Sequence, residues 1–118
     1  MTGVRRPIPQ AVQDAIFVRS RRRCCVCYGL HRDVGLKAGQ IAHLDQNAAN
    51  PSDDNLAFMC FVHHDQYDST TRQSKNLTPR EVKHYRDELY ADIEIYFGLG
   101  GLGKLWLWLM DRTARRIR

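Results

Sequence analysis

The chain has 118 residues, a formal net charge of +5 and 43% hydrophobic residues. This length suits a single domain, and the ordinary apolar content excludes a disordered chain. The longest apolar stretch, residues 98–110, is short and interrupted by Lys104, so a membrane-spanning helix is not predicted.

The first quarter of the chain predicts a helix and then an irregular segment. Pro9 suits the first turn of a helix over residues 9–22, in which apolar residues recur at helical spacing. The stretch "CCVC" then predicts a tight turn. Residues 28–40 contain three glycines and mixed polar residues, which predicts an irregular or hairpin segment.

The middle of the chain predicts a short sheet followed by a helix. Residues 40–44 predict a strand, and residues 45–55, rich in Asn, Asp, Ser and Pro, predict a loop. Residues 56–60 fit either a second strand or the start of a helix, because periodicity does not distinguish the two over so short a run. Residues 61–69 predict a helix.

A long amphipathic helix is predicted after a polar connector. Thr78 at the N-cap, Pro79 at the first helical position and Glu81 two residues later form a capping-box pattern. Apolar residues then follow at helical spacing: Val82, Tyr85, Leu89, Ile93 and Tyr96. Gly98 and the glycines after it predict the end of this helix.

Charge is unevenly distributed along the chain. Arginines crowd both ends, whereas residues 38–71 contain no Lys or Arg but five Asp. An acidic centre with basic flanks suits a site that holds a cation and grips a polyanion, and chance clustering on a solvated surface explains the same pattern equally well. The candidate nucleic-acid contacts are Arg21, Arg22, Arg23, Arg72 and Lys75.

The cysteines predict a metal site rather than disulfides. The opening residues contain no apolar run typical of a signal peptide, so we expect reduced thiols in a cytoplasmic protein. Two ligand pairs share a two-residue gap, Cys24 with Cys27 and Cys60 with His63. Such pairs can close a tetrahedral structural zinc site that adds folding energy. Alternatively Cys60 is a small buried hydrophobe, and Cys25 and His64 compete for the ligand roles.

The stretches "CCVC", "QIAHLD" and "DNLAFMCFVHH", taken in this order, resemble the HNH endonuclease family of the small bacterial or phage-defence type. The resemblance covers residues 22–89. It implies an α+β fold with a ββα-metal core and a structural zinc knuckle, flanked by N-terminal and C-terminal helices. It also implies a metal-dependent endonuclease that hydrolyses DNA phosphodiester bonds, with a role in antiviral defence.

The resemblance assigns roles to individual residues. It implies that His43 is the general base, that Asn55 orients His43 or its loop or touches the metal, and that His64 binds a catalytic Mg²⁺ or Mn²⁺ ion. Asp68 lies one helical turn after His64 and can join it around that ion. Asp45 is a further candidate ligand or an acceptor behind the ligands.

One position departs from the family pattern. Many HNH nucleases carry an Asp or His metal ligand just before the base, and this chain has Ala42 there. Either Asp45, Asp68 or water fills the gap, or the site binds metal weakly, or catalysis has been lost. The alternative function is therefore a catalytically inactive HNH-like zinc module that binds nucleic acid or a partner protein.

The C-terminal segment is predicted to form a unit of its own. Residues 1–97 are predicted as one domain with its core at 22–89, and residues 98–118 as a glycine-rich hinge and a basic amphipathic helix. The Leu/Trp run of this helix can contact a second copy of the chain or a regulatory protein, which we favour over a membrane surface. Trp106 and Trp108 are interpreted as packing or interface residues.

Overall fold

The computed structural model describes residues 6–68 and 77–98 and places them in an α+β arrangement, which confirms the predicted class. Within these residues the elements in chain order are α1 (Gln10–Ser20), α2 (Cys25–His31), β1 (Gly39–His43), a 3₁₀ turn (Asp53–Asn55), β2 (Leu56–Cys60), α3 (Phe61–Asp68) and α4 (Pro79–Gly98). The helix predicted near the C-terminus lies outside the described residues.

The sheet consists of β1 and β2, which pair antiparallel from Gly39 opposite Cys60 to His43 opposite Leu56. Residues 56–60, for which the sequence allowed either a strand or the start of a helix, therefore form a strand. Directly opposed residues in an antiparallel pair share a face, and neighbours along a strand alternate between faces. His43 thus lies on the same face as Leu56, and Ala42 lies on the other.

Helices cover both faces of this small sheet. On one face, Ile16 of α1 packs with Leu56 and Phe58. The rings of Phe17 and Phe58 form an edge-to-face contact with their centroids 5.7 Å apart. The larger apolar cluster on the other face draws on both strands and on α2, α3 and α4; its members include Val26, Ala42, Leu44, Ala57, Met59, Tyr67, Val82 and Leu89. Burial of these side chains supplies the main driving force for folding.

α3 starts at Phe61, directly after β2 ends at Cys60, and packs across both strands. Two hydrogen bonds tie its last turn to the chain that follows β1. The Tyr67 hydroxyl donates to the Leu44 carbonyl, and the Gln46 side chain donates to the Tyr67 carbonyl at 3.0 Å. The end of α3 is therefore held beside the end of the strand that carries His43.

α4 packs along α2 and is capped as predicted. The Thr78 hydroxyl accepts from the Glu81 amide at 3.1 Å, as an N-cap does. The helices approach closely at Gly29, where an added Cβ would lie 2.3 Å from the Tyr85 ring. Such an approach requires glycine, although glycine weakens a helix interior.

One sequence-based assignment in the first half is wrong, and the approximate end predicted for α1 lies close to the observed one. The "CCVC" stretch is the start of α2 rather than a tight turn, because the Cys24 side chain caps that helix by accepting from the Cys27 amide. The irregular segment is correspondingly shorter and starts after His31. α1 ends at Ser20, two residues before the predicted end, because Arg21 and Arg22 adopt left-handed φ values of 53° and 63°.

Candidate metal centre

Four side chains converge to form a site that can hold a metal ion. We call Cys24, Cys27, Cys60 and His63 the cysteine–histidine cluster; their candidate ligand atoms all lie within 4.8 Å of one another. The Cys27 and Cys60 sulfurs are 3.8 Å apart, and the His63 Nδ1 atom lies 3.3 to 3.6 Å from the three sulfurs. A tetrahedral zinc ion with bonds of about 2.3 Å to sulfur separates its sulfur ligands by about 3.8 Å.

The N-terminal ends of two helices position these ligands. Cys24 is the N-cap of α2 and Cys27 lies in its first turn, whereas Cys60 ends β2 and His63 lies in the first turn of α3. Each pair therefore lies at the start of a helix, where a two-residue gap directs both side chains to one point. Gly39 lets the strands meet beside Cys60, because a Cβ there would be 1.9 Å from the Met59 carbonyl oxygen.

Burial has opposite effects on the readiness of the thiols and of the imidazole to bind a cation. Burial raises the pKa of the Cys24 thiol, and burial followed by the neighbouring Cys24 sulfur raises the pKa of Cys27. Burial, together with the charges of His31 and Lys37, lowers the pKa of His63 and leaves its imidazole neutral. A metal ion must therefore displace thiol protons but meets an imidazole that is ready to bind.

The geometry resolves the competition between neighbouring residues. Cys25 is buried, with 2% exposure, but lies outside the cluster, and burial strongly raises the pKa of its thiol. His64 is also outside the cluster and instead faces Asp68, with Nδ1 3.5 Å from Oδ2. The His64 side chain is 15% exposed and that of Asp68 is 52% exposed. The predicted one-turn spacing thus places these two side chains together at the protein surface.

Asn55 organises the loop between the strands. It is 6% exposed, its Oδ1 accepts from the Asp45 amide at 2.9 Å, and its Nδ2 donates to the Asp45 carboxylate at 2.9 Å and to the Asn50 carbonyl at 3.0 Å. The Asp45 carboxylate also accepts from the Asn47 amide and the Asn50 side chain. Desolvation opposes ionisation of Asp45, but these hydrogen bonds and nearby His43 together lower its pKa.

We call His43, Asp45, His64 and Asp68 the histidine–aspartate group. His43 is the last residue of β1, and its Nε2 atom is buried. Burial raises the pKa of Tyr67 to about 12, and the charges of Asp45 and Asp68 contribute to this shift. Within residues 6–68 and 77–98, the cysteine–histidine cluster is the one group of three or more such side chains close enough to share an ion. A second cation site stays a prediction.

Three of the five predicted nucleic-acid contacts lie among the described residues. Arg21 and Arg22 are exposed just after α1, whereas Arg23 is half-buried and donates to the carbonyls of Val34 and Arg21. The other two predicted contacts, Arg72 and Lys75, lie outside the described residues. Within the described part of the chain, no helix has the length and hydropathy needed to cross a bilayer.

Arg86 is the main positioning residue that the sequence analysis missed. It is 5% exposed in α4 and donates to the carbonyls of Asp54 at 2.7 Å and Leu56 at 3.2 Å, and its guanidinium pairs with the Asp54 carboxylate at 3.2 Å. These contacts fix the chain where the loop enters β2. Its position between Val82 and Leu89 in a helix with an apolar face was the available signal.

Comparison with protein-family models, curated proteins and solved structures finds no match to this chain.

Proposed function

We propose that this protein is a metal-dependent endonuclease of the HNH type that hydrolyses DNA phosphodiester bonds. The observation that supports it best is the order and placement of the site elements. β1 pairs antiparallel with β2, and α3 begins at the residue that follows β2. His43 ends β1, and His64 lies on α3. The cysteine–histidine cluster lies at the junction of the second strand and the helix.

The ion in the cysteine–histidine cluster is proposed to be zinc in a structural role. Three thiolates and one imidazole form a soft donor set that suits zinc, and four protein ligands leave no open position for a substrate. The cluster joins α2 to the junction between β2 and α3. Zinc would therefore stabilise the scaffold and take no part in cleavage.

The histidine–aspartate group is proposed to carry out the reaction. A neutral His43 would accept the proton of the attacking water, since an imidazole titrates near neutral pH. His64 and Asp68 would hold Mg²⁺ or Mn²⁺, which would stabilise charge on the phosphate and on the departing oxygen. Asn55 is already committed to the loop at Asp45, so its role would be to fix the backbone next to His43.

A catalytically inactive zinc module is the second candidate, and Ala42 favours it. Ala42 is 1% exposed and lies in the apolar cluster with Ala57, its partner on β2. A carboxylate at this position would be a buried charge, which is costly unless it is paired. The chain has thus used this position for packing, and any catalytic cation must rely on other ligands.

A plasmid-nicking assay in Mg²⁺ or Mn²⁺ separates the two candidates. The wild-type protein is expected to nick the plasmid, and His43→Ala is expected to reduce the rate by about 100-fold or more, because the general base is lost. His84→Ala is the matched control, since His84 is an exposed histidine on α4. It should nick at the wild-type rate.

Absence of nicking in either metal, by a protein that melts cooperatively and contains zinc, would reject the nuclease and support the module. Equal nicking by wild type and His43→Ala would reject His43 as the base.

A further inference from the structure

Three arginine side chains at the end of α1 each stack on an aromatic ring. The Arg19 guanidinium lies 4.3 Å from the centre of the Tyr90 ring, that of Arg21 lies 4.1 Å from Phe97, and that of Arg22 lies 3.7 Å from Phe17. We call Arg19, Arg21 and Arg22 the arginine ridge. Tyr90 and Phe97 belong to α4, so the ridge spans the junction of two helices.

The backbone of the ridge is held in an uncommon conformation. Arg21 and Arg22 have φ values of 53° and 63°, a region that residues other than glycine adopt at some cost. Ser20, which is 1% exposed, supports this turn: its hydroxyl accepts from the Arg22 amide at 3.3 Å and its carbonyl from the Arg23 amide at 3.0 Å. The turn is therefore well specified even though glycine would fit it with less strain.

The positive charge of the ridge is only partly balanced. Arg19 pairs with Asp53 at 3.1 Å, across two half-exposed side chains. In the part of the chain that the structure describes, neither Arg21 nor Arg22 forms an ion pair. The dipole of α1 also favours cations near its C-terminus, so it accounts for part of this concentration of arginines.

We infer that the arginine ridge binds the phosphate backbone of the DNA substrate. This inference rests on the proposed function and extends it by naming the surface that holds the substrate. A ring against one face of a guanidinium leaves its N–H edges directed outward, ready for paired hydrogen bonds to phosphate oxygens. Stacking also restricts the long side chain before binding, so less conformational entropy is lost when a phosphate is bound.

The ridge also changes the set of nucleic-acid contacts predicted from the sequence, by removing one arginine and adding another. Arg23 does not belong to it, because two of its N–H groups already donate to the carbonyls of Val34 and Arg21. Arg19 does belong, since its partner Asp53 is 55% exposed and can be displaced by a phosphate. Arg21 and Arg22 are therefore the residues on which binding should depend most.

The test measures DNA binding without cleavage. A fluorescent duplex oligonucleotide is titrated with zinc-loaded protein carrying His43→Ala, in the absence of Mg²⁺ and Mn²⁺, over a range of salt concentrations. The variant is Arg21→Gln with Arg22→Gln, and the matched control is Arg6→Gln with Arg80→Gln. Arg6 and Arg80 are exposed and lie outside the ridge, so both doubles lower the net charge by the same amount.

Loss of two phosphate contacts should weaken binding by at least about tenfold and should flatten the plot of log affinity against log salt by about 1.8. The control double should keep nearly the wild-type slope. Equal losses in the two doubles, an unchanged slope, or binding to phosphatidylserine vesicles but not to DNA would each overturn the proposal. Both doubles should melt at nearly the parent temperature, which excludes a folding defect.

The result is separable from the nuclease question. A ridge variant that loses DNA binding, in a protein that never nicks plasmid, upholds the ridge and rejects the endonuclease. A protein that nicks through His43 but binds DNA equally well without the ridge arginines upholds the endonuclease and rejects the ridge.

Discussion

The cysteine–histidine cluster and the histidine–aspartate group adjoin each other on α3 but are built differently. The cluster takes all its ligands from the ends of regular elements, and its three sulfurs belong to buried residues. The group draws on the end of a strand, a loop and a helix, and Asp45 and Asp68 are exposed. The first arrangement suits a closed structural ion, whereas the second has two carboxylates exposed to solvent.

The largest expected effect comes from removing the ion of the cysteine–histidine cluster. A strong zinc chelator is expected to cost on the order of 5 kcal/mol or more of unfolding free energy, because metal binding and folding are coupled in a domain of this size. Thermal melts followed by circular dichroism measure this. Withdrawal of Mg²⁺ should leave the melting temperature unchanged.

Cys27→Ala and Cys25→Ala provide a matched pair for the same test. Both remove a buried thiol from α2, but only Cys27 belongs to the cluster. Cys27→Ala should reproduce the effect of the chelator, whereas Cys25→Ala should cost about 1 kcal/mol, the loss of one small buried side chain. Equal melting of the two variants, with no response to the chelator, would rule out a structural ion.

An intermediate effect is expected at Arg86, which braces the strand that leads to both sites. Arg86→Met should cost about 2–4 kcal/mol, since it removes the buried donors to the carbonyls of Asp54 and Leu56. Lys83→Met is the control: Lys83 reaches the same Asp54 carboxylate at 2.8 Å, but from a side chain with 38% exposure. It should cost less than about 0.5 kcal/mol.

Urea denaturation of the zinc-loaded variants compares the two changes. A cost for Arg86→Met as small as that for Lys83→Met would show that the buried guanidinium does not brace the strand.

The smallest effect is expected at Asp45. Because its pKa is lowered in the folded protein, its carboxylate stabilises the loop above the unfolded value of about 3.9. This contribution is lost as the pH falls through the lower folded pKa. Asp45→Asn should cost well under about 1 kcal/mol at pH 7, since the side chain is exposed.

The stability difference between wild type and Asp45→Asn should therefore shrink towards zero below a pH of about 4. Denaturant titrations at several pH values are run in parallel on the two zinc-loaded proteins, so that acid release of the metal affects both equally and cancels in the difference. A difference that grows as the pH falls would contradict the assigned role of Asp45 in the loop.

Regular elements with local signals were predictable from the sequence. The cap at Thr78 follows from a residue type whose hydrogen-bonding behaviour is specific. The cysteine–histidine cluster was also predictable, because a two-residue gap between ligands is a short-range constraint that survives without knowledge of the fold.

Features that depend on tertiary contacts were not predictable. α2 is seven residues long, contains Gly29 and carries an unusual cysteine cap, so neither its periodicity nor its composition indicates a helix. Its glycine is explained only by the approach of Tyr85. The apolar face of α4 hints that Arg86 is buried, but its role depends on two carbonyl groups that are some thirty positions away in the chain.

The direct passage from β2 into α3 couples the position of His64 and Asp68 to the spacing of the cysteine–histidine cluster. Each residue of an α-helix turns the chain by about 100°, so one residue inserted between Cys60 and His63 would swing His64 and Asp68 to a new side of the molecule. A change of spacing within the cysteine–histidine cluster is thereby transmitted as a rotation of the neighbouring histidine. Residues added to the loop between the strands would instead leave the rotation of α3 about its axis unchanged.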